Sequence, residues 1–261
     1  MRGNLRASLR GNLRPTLRAQ ALSRYAGHNM VAFDGTNDYL NRGALFTGAV
    51  DARYMTLAFK FKPMKAVGTA QNILHFGAAN ARIILLDDNK ITFALTAAAF
   101  GGATLGGAQA TALTTGNTYT CHLAVDWAAP AFGFWVNGVD DGSTILQAGT
   151  PGNATWATGG LAQTAIAGSH TGAFKFEGQF GFFWFTVGNT TASYITDPTK
   201  FYSGGDVDLG TNGTGSGLTQ PVIFFGGRNT AADWNGTPGT SSAVNKGSGA
   251  DNWTMAVDGV V

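Results

Sequence analysis

The stretch Tyr119-Thr-Cys-His-Leu-Ala-Val-Asp-Trp127, followed by Ala128-Ala-Pro-Ala131 and then Phe132-Gly-Phe-Trp-Val-Asn-Gly138, decides the fold class. Tyr119, Cys121, Leu123, Val125 and Trp127 fall on one side of a period of two, opposite Thr120, His122, Ala124 and Asp126. That spacing predicts a strand, because a helix would scatter the same residues around its circumference. The short connection and the second aromatic run predict a hairpin that ends in Asn137-Gly138. Cys121, on the apolar side, reads as a small core hydrophobe, not a nucleophile.

The same grammar extends outward. Met55, Leu57, Phe59 and Phe61 alternate with Thr56, Ala58, Lys60 and Lys62, which predicts a half-buried strand with its lysines in water. Further strands are expected at 31–33, 72–76, 82–86, 90–95, 118–127, 132–137, 164–167, 174–186 and 222–225, with a last one near 253–257. Residues 174–186 are apolar on both faces in their second half, which places them in the middle of a sheet. Short strands separated by Gly, Asn, Asp and Pro predict an all-β sandwich or barrel. Composition agrees: 38 of 261 residues are Gly, 18 are Phe, 44% are hydrophobic and 12% charged, which excludes a disordered chain and a helical bundle. No apolar run is long enough for a transmembrane helix. A single Cys excludes an intrachain disulfide framework.

The net charge of +2 conceals two opposite parts. Residues 1–25 carry six Arg (Arg2, Arg6, Arg10, Arg14, Arg18, Arg24) and no acid, leaving 11 basic and 15 acidic side chains, a net −4, in the rest. Arg recurs every fourth residue from 2 to 18, and Leu5, Leu9, Leu13 and Leu17 follow one place behind. On a helix the two series would make a basic and an apolar face, but Gly3, Gly11 and Pro15 disfavour an isolated helix. An extended or partly helical arm over residues 1–30 that orders by docking is therefore expected. Phosphate, an anionic membrane or a protein surface could each receive it, with a protein assembly favoured over any specific nucleic acid. The opening lacks the apolar core of a secretory signal and instead imitates an organellar transit peptide.

Four segments in a fixed order carry a resemblance: Val31-Ala-Phe-Asp-Gly-Thr-Asn-Asp-Tyr-Leu40, Met55-Thr-Leu-Ala-Phe-Lys-Phe-Lys-Pro63, the 119–139 pair with Val136-Asn-Gly-Val139, and Phe176-Glu-Gly-Gln-Phe-Gly181. The succession resembles the concanavalin A-like, laminin-G-like jelly-roll superfamily. It implies a two-sheet antiparallel sandwich over residues 31–187, with residues 188–261 as a glycine-rich extension completing or packing on it. Asp197-Pro-Thr-Lys-Phe201, Val207-Asp-Leu-Gly210 and Gln220-Pro-Val-Ile-Phe-Phe-Gly226 resemble the ends of laminin-G-like proteins of tailed phages and prophages. That second resemblance implies a virion location, an oligomer within an assembly, and capsid, portal or tail proteins as partners of the arm. The alternative is a carbohydrate-binding adhesin.

Enzymes of this fold that cut polysaccharides usually place paired Glu on one strand. This chain has one Glu, Glu177, so a non-enzymatic protein is expected. Metal ions of the lectin type need clustered oxygen ligands. Asp34 with Asp38, Asp87-Asp88-Asn89 and Asp140-Asp141 are the candidates; all read more simply as turns, so no cofactor is expected, calcium being the one these loops could offer. His28, His75, His122 and His170 lack zinc spacing. Gly168-Ser169-His170 lacks the context of a serine nucleophile, and Gly213-Thr-Gly-Ser-Gly217 reads as a flexible turn. For glycan contact, Trp156 and Trp234 in Gly/Thr/Asn-rich loops are preferred over Trp127, Trp135 and Trp184, which fall in strands.

Overall fold

In a computed structural model, residues 30–36, 38–42, 50–65, 70–76, 81–85, 88–96, 104–129, 131–142, 144–148, 164–169, 173–226, 242–249 and 252–255 are described. The arm, except Met30, lies outside them. In chain order the strands are β1 (Val31–Asp34), β2 (Leu40–Arg42), β3 (Tyr54–Pro63), β4 (Gln71–Phe76), β5 (Ala81–Leu85), β6 (Ile91–Thr96), β7 (Thr104–Ala108) and β8 (Tyr119–Asp126). They continue with β9 (Ala131–Val136), β10 (Val139–Asp140), β11 (Thr144–Ala148), β12 (Thr164–Ile166), β13 (Glu177–Gly188), β14 (Ile223–Gly226), β15 (Ser242–Val244) and β16 (Asn252–Met255). One sheet has seven strands in the order β1-β13-β3-β8-β9-β10, with β14 beside β13; the other has nine, β11-β7-β6-β5-β4-β12-β2-β16-β15. All pairings are antiparallel, so the chain is an all-β two-sheet sandwich of jelly-roll type.

Alternation builds the core. Met55, Leu57, Phe59 and Phe61 of β3 and Cys121, Leu123 and Val125 of β8 are buried between the sheets, and each buried Phe contributes about 2 kcal/mol. Rings meet across the gap: Phe76 and Phe185 at 5.8 Å, Phe93 and Phe132 at 4.8 Å, Phe225 and Trp253 at 5.6 Å. Gly107 makes the second of these contacts possible, since a Cβ there would lie 2.6 Å from both rings.

β13 pairs along its length with β3 and, on its other side, with β1 and then β14. Its register shifts between Phe180 and Phe182. The bulge reverses which residues point inward, so Phe180 before it and Phe183 and Phe185 after it all enter the main core. Phe182 and Trp184 face the other way into a second cluster with Ala58, Phe201, Leu209, Leu218 and Phe224. That cluster lies under residues 189–222, and Trp184 Nε1 donates to the Gly213 carbonyl at 2.9 Å.

The structure corrects three expectations. The outer face of β3 is not in water: Thr56 is buried and donates to the Ser193 carbonyl, Ala58 is buried, and Lys60 pairs with Asp206. Residues 213–217 are not a free turn, because Gly213 is buried where a Cβ would meet Pro221 and Phe224. Phe174 is not in a strand; its φ is +52° and β13 begins at Glu177. Five strands, β2, β7, β10, β11 and β15, were not expected from the sequence.

Candidate functional site

The nine-stranded sheet offers a row of polar side chains on its outer face. Leu40, Ile166, Leu74 and Ile83 are aligned partners on β2, β12, β4 and β5, and all four are buried in the core. The next residues along, Asn41, Ala165, His75 and Arg82, are aligned in the same way and so share the opposite face. Strand spacing of about 4.8 Å sets His75 beside Arg82, with Asn41 about two strands from His75 across the small Ala165. Thr92 of β6 lies between the core residues Ile91 and Phe93 and takes the outer face too. Among the described residues no hydrophobic cluster forms on this face, unlike the outer face of the seven-stranded sheet.

Three atoms in this region are sealed from solvent without a hydrogen-bond partner among the described residues: Asn41 Oδ1, Arg82 Nε and Thr92 Oγ1. They offer an acceptor, a donor and a hydroxyl able to do both. Buried polar groups are ordinarily paired, and each unpaired one costs about 1–3 kcal/mol. These three atoms are closed off, so an incoming ligand would meet the half-buried parts of Asn41, His75, Arg82 and Thr92 rather than the sealed atoms themselves. The sequence offered no signal for this row, because the residues come from four separate strands.

The sequence candidates fare differently. The arm residues and Trp156 and Trp234 lie outside the described residues, as do His28, His170 and Asp87. Asp34 Oδ1 accepts the Thr36 and Asp38 amides, and Asp38 Oδ2 accepts the Asp34 amide, so this loop is an interlocked turn. Asp88, Asp140 and Asp141 likewise accept backbone amides from Lys90, Gly142 and Ala110. Among the described residues no three His, Cys, Asp or Glu side chains group as a metal site. Glu177 is held by its backbone, its amide donating to Gln71 Oε1 and its carbonyl accepting from Met64. Ser169 Oγ accepts the Ala173 amide and braces a loop. Cys121 is fully buried, which pushes its thiol well above the usual range.

Asp126 and His122 are perturbed for structural reasons. Asp126 is held below the usual carboxylate range by hydrogen bonds from Arg53, whose Nε and Nη2 lie 2.8 and 2.6 Å from its two oxygens. Arg53 also covers the Tyr54 ring at 4.8 Å, and Tyr54 stacks on Tyr194, so this is a clamp between β3, β8 and the covering segment. His122 is brought down to about 3 by burial. Its Nε2 lies 2.8 Å from the Ile195 carbonyl, which only accepts, so the neutral ring carries its proton there.

No family model matches the chain, and no curated protein matches it in sequence. Among solved structures it is similar to a candidate carbohydrate-binding protein from Bacteroides ovatus ATCC 8483, with a TM-score of 0.57 and 14% identity over 90% of this chain. The chain spans 59% of that protein's length. The Ruminococcus gnavus IT-sialidase CBM40 bound to α2,3-sialyllactose is similar at a TM-score of 0.46 and 12% identity, covering 66% of this chain and 96% of the module. Domains LG4-5 of the mouse laminin α1 chain are similar at 0.45 and 10%, covering 60% of this chain and 41% of theirs. The Bacteroides likeness carries the fold alone, a two-sheet antiparallel sandwich.

Proposed function

We propose that this chain is a non-catalytic glycan-binding sandwich, with the outer face of the nine-stranded sheet as its binding surface. Asn41, His75 and Arg82 would line the surface and Thr92 would flank it. The carrying observation is the aligned row of half-buried polar side chains, Asn41, His75 and Arg82 with Thr92 beside them, on a face where no apolar cluster forms among the described residues. Sugar hydroxyls both donate and accept, so one ligand class can pair with amide, imidazole, guanidinium and hydroxyl groups alike. The description of the Bacteroides protein as a candidate carbohydrate binder supports the same direction. A lone Glu177 tied into the backbone network supports a binding role over hydrolysis, which on this fold generally uses paired Glu. Retention of the full chain on a glycan array tests this. Arg82→Ala and Asn41→Ala are each expected to weaken retention about tenfold, from the loss of one or two hydrogen bonds. Undiminished retention by both, with unchanged melting curves, contradicts the proposal.

A second reading rests on the arm, whose sequence over residues 1–25 holds six Arg and stepped Leu and no acidic residue. Residues 1–25 would fasten the sandwich to a virion surface of capsid, portal or tail protein. Deleting them is expected to leave a folded body that no longer joins the particle; unchanged incorporation contradicts it.

A further inference from the structure

We infer that Trp135, with Asp140 beside it, forms a second sugar-stacking site at the edge of the seven-stranded sheet. Trp127, Trp184 and Trp253 are buried, whereas Trp135 is only half-buried. His122, Trp135 and Asp140 are aligned partners on β8, β9 and β10, so they form a row on the sheet's outer face. The Trp135 and His122 rings stack, with centroids 4.6 Å apart and planes 23° from parallel. One face of the indole is therefore covered by a ring that is itself buried and tied to Ile195. On the strand at the other side of Trp135 its aligned partner, Asp140, is exposed.

Glycine sets the pose of the indole. A Cβ on Gly133 would lie 2.0 Å from Trp135 Cη2, so the ring leans along the strand over a position that only glycine leaves vacant. β10 ends at Asp140, which turns through its Oδ1 accepting the Gly142 amide; nothing lies within 4 Å of the Cβ position of Gly142. The result is an indole held in place by His122 and Gly133, with an exposed carboxylate on the next strand and open space at the turn that follows it. The negative face of an aromatic ring attracts the weakly positive C–H groups on the flat side of a pyranose, and a carboxylate accepts its hydroxyls. A fixed ring loses little entropy on binding.

The choice of ligand class rests on the glycan reading proposed above, but the site is separate from the Asn41–Arg82 face. The test is titration of the full chain with the oligosaccharide retained most strongly on the array, followed by calorimetry. Trp135→Ala and Asp140→Ala are each expected to weaken binding by about tenfold or to remove one of two binding events. Asp140→Trp, which adds bulk at that exposed position on the next strand, is expected to do the same and decides the matter if Trp135→Ala fails to fold. Wild-type binding by both Asp140 variants and by folded Trp135→Ala, with loss only in Arg82→Ala, overturns this site and leaves the outer-face reading standing. A wild-type chain that retains no sugar overturns both.

Discussion

His122 shows how far one residue's environment can depart from its apparent place on a strand. It alternates with apolar neighbours as a polar face should, yet it is 2% exposed beneath Phe201 and Ile195 and against Trp135. Burial holds it near a pKa of about 3, against 6.5 for a free imidazole. Between those values the unfolded chain binds more protons than the folded one, so stability is full above about pH 6.5 and falls as pH drops toward 3. The slope contributed by this one group approaches about 1.4 kcal/mol per pH unit. Asp126, held low by Arg53, acts in the same sense at lower pH. Urea midpoints are expected to fall between pH 7 and pH 5, and His122→Gln to flatten that fall. An identical slope in the variant contradicts this assignment.

Among the elements, the covering segment 189–222 matters most to how the sequence maps onto the structure. The centre of the seven-stranded sheet was legible in residues 174–186, because apolar side chains on both faces demand cover on both faces. What supplies the second cover was not legible: the alternation in β3 looks the same whether Lys60 meets water or Asp206. β7, Thr104-Leu-Gly-Gly-Ala108, reads as a turn because of its glycines, although Gly107 is there to admit the rings of Phe93 and Phe132. β10 has two residues, too few for any period to register. Phe201→Ala, which opens the second cluster under this cover, is expected to cost about 3 kcal/mol and to raise the pKa of His122 as water reaches it. Chemical denaturation and imidazole titration by NMR measure the two effects. A loss of stability with no change in the titration would mean that the segment does not seal His122.

At the scale of the whole molecule, the two sheets divide the work. The seven-stranded sheet is buried on both faces over most of its width, leaving Trp135 at its margin, whereas the nine-stranded sheet presents Asn41, His75, Arg82 and Thr92 outward. Sequence reasoning placed glycan contact on loop tryptophans because exposed aromatics are the signal a linear chain displays. A row assembled from β2, β4, β5 and β6 becomes visible only when the register is known. The central claim is best tested by amide chemical-shift mapping of the full chain as an array-selected oligosaccharide is titrated in. Saturable shifts at Asn41, His75, Arg82 and Thr92 are expected; saturation with no shifts on those four strands would contradict it.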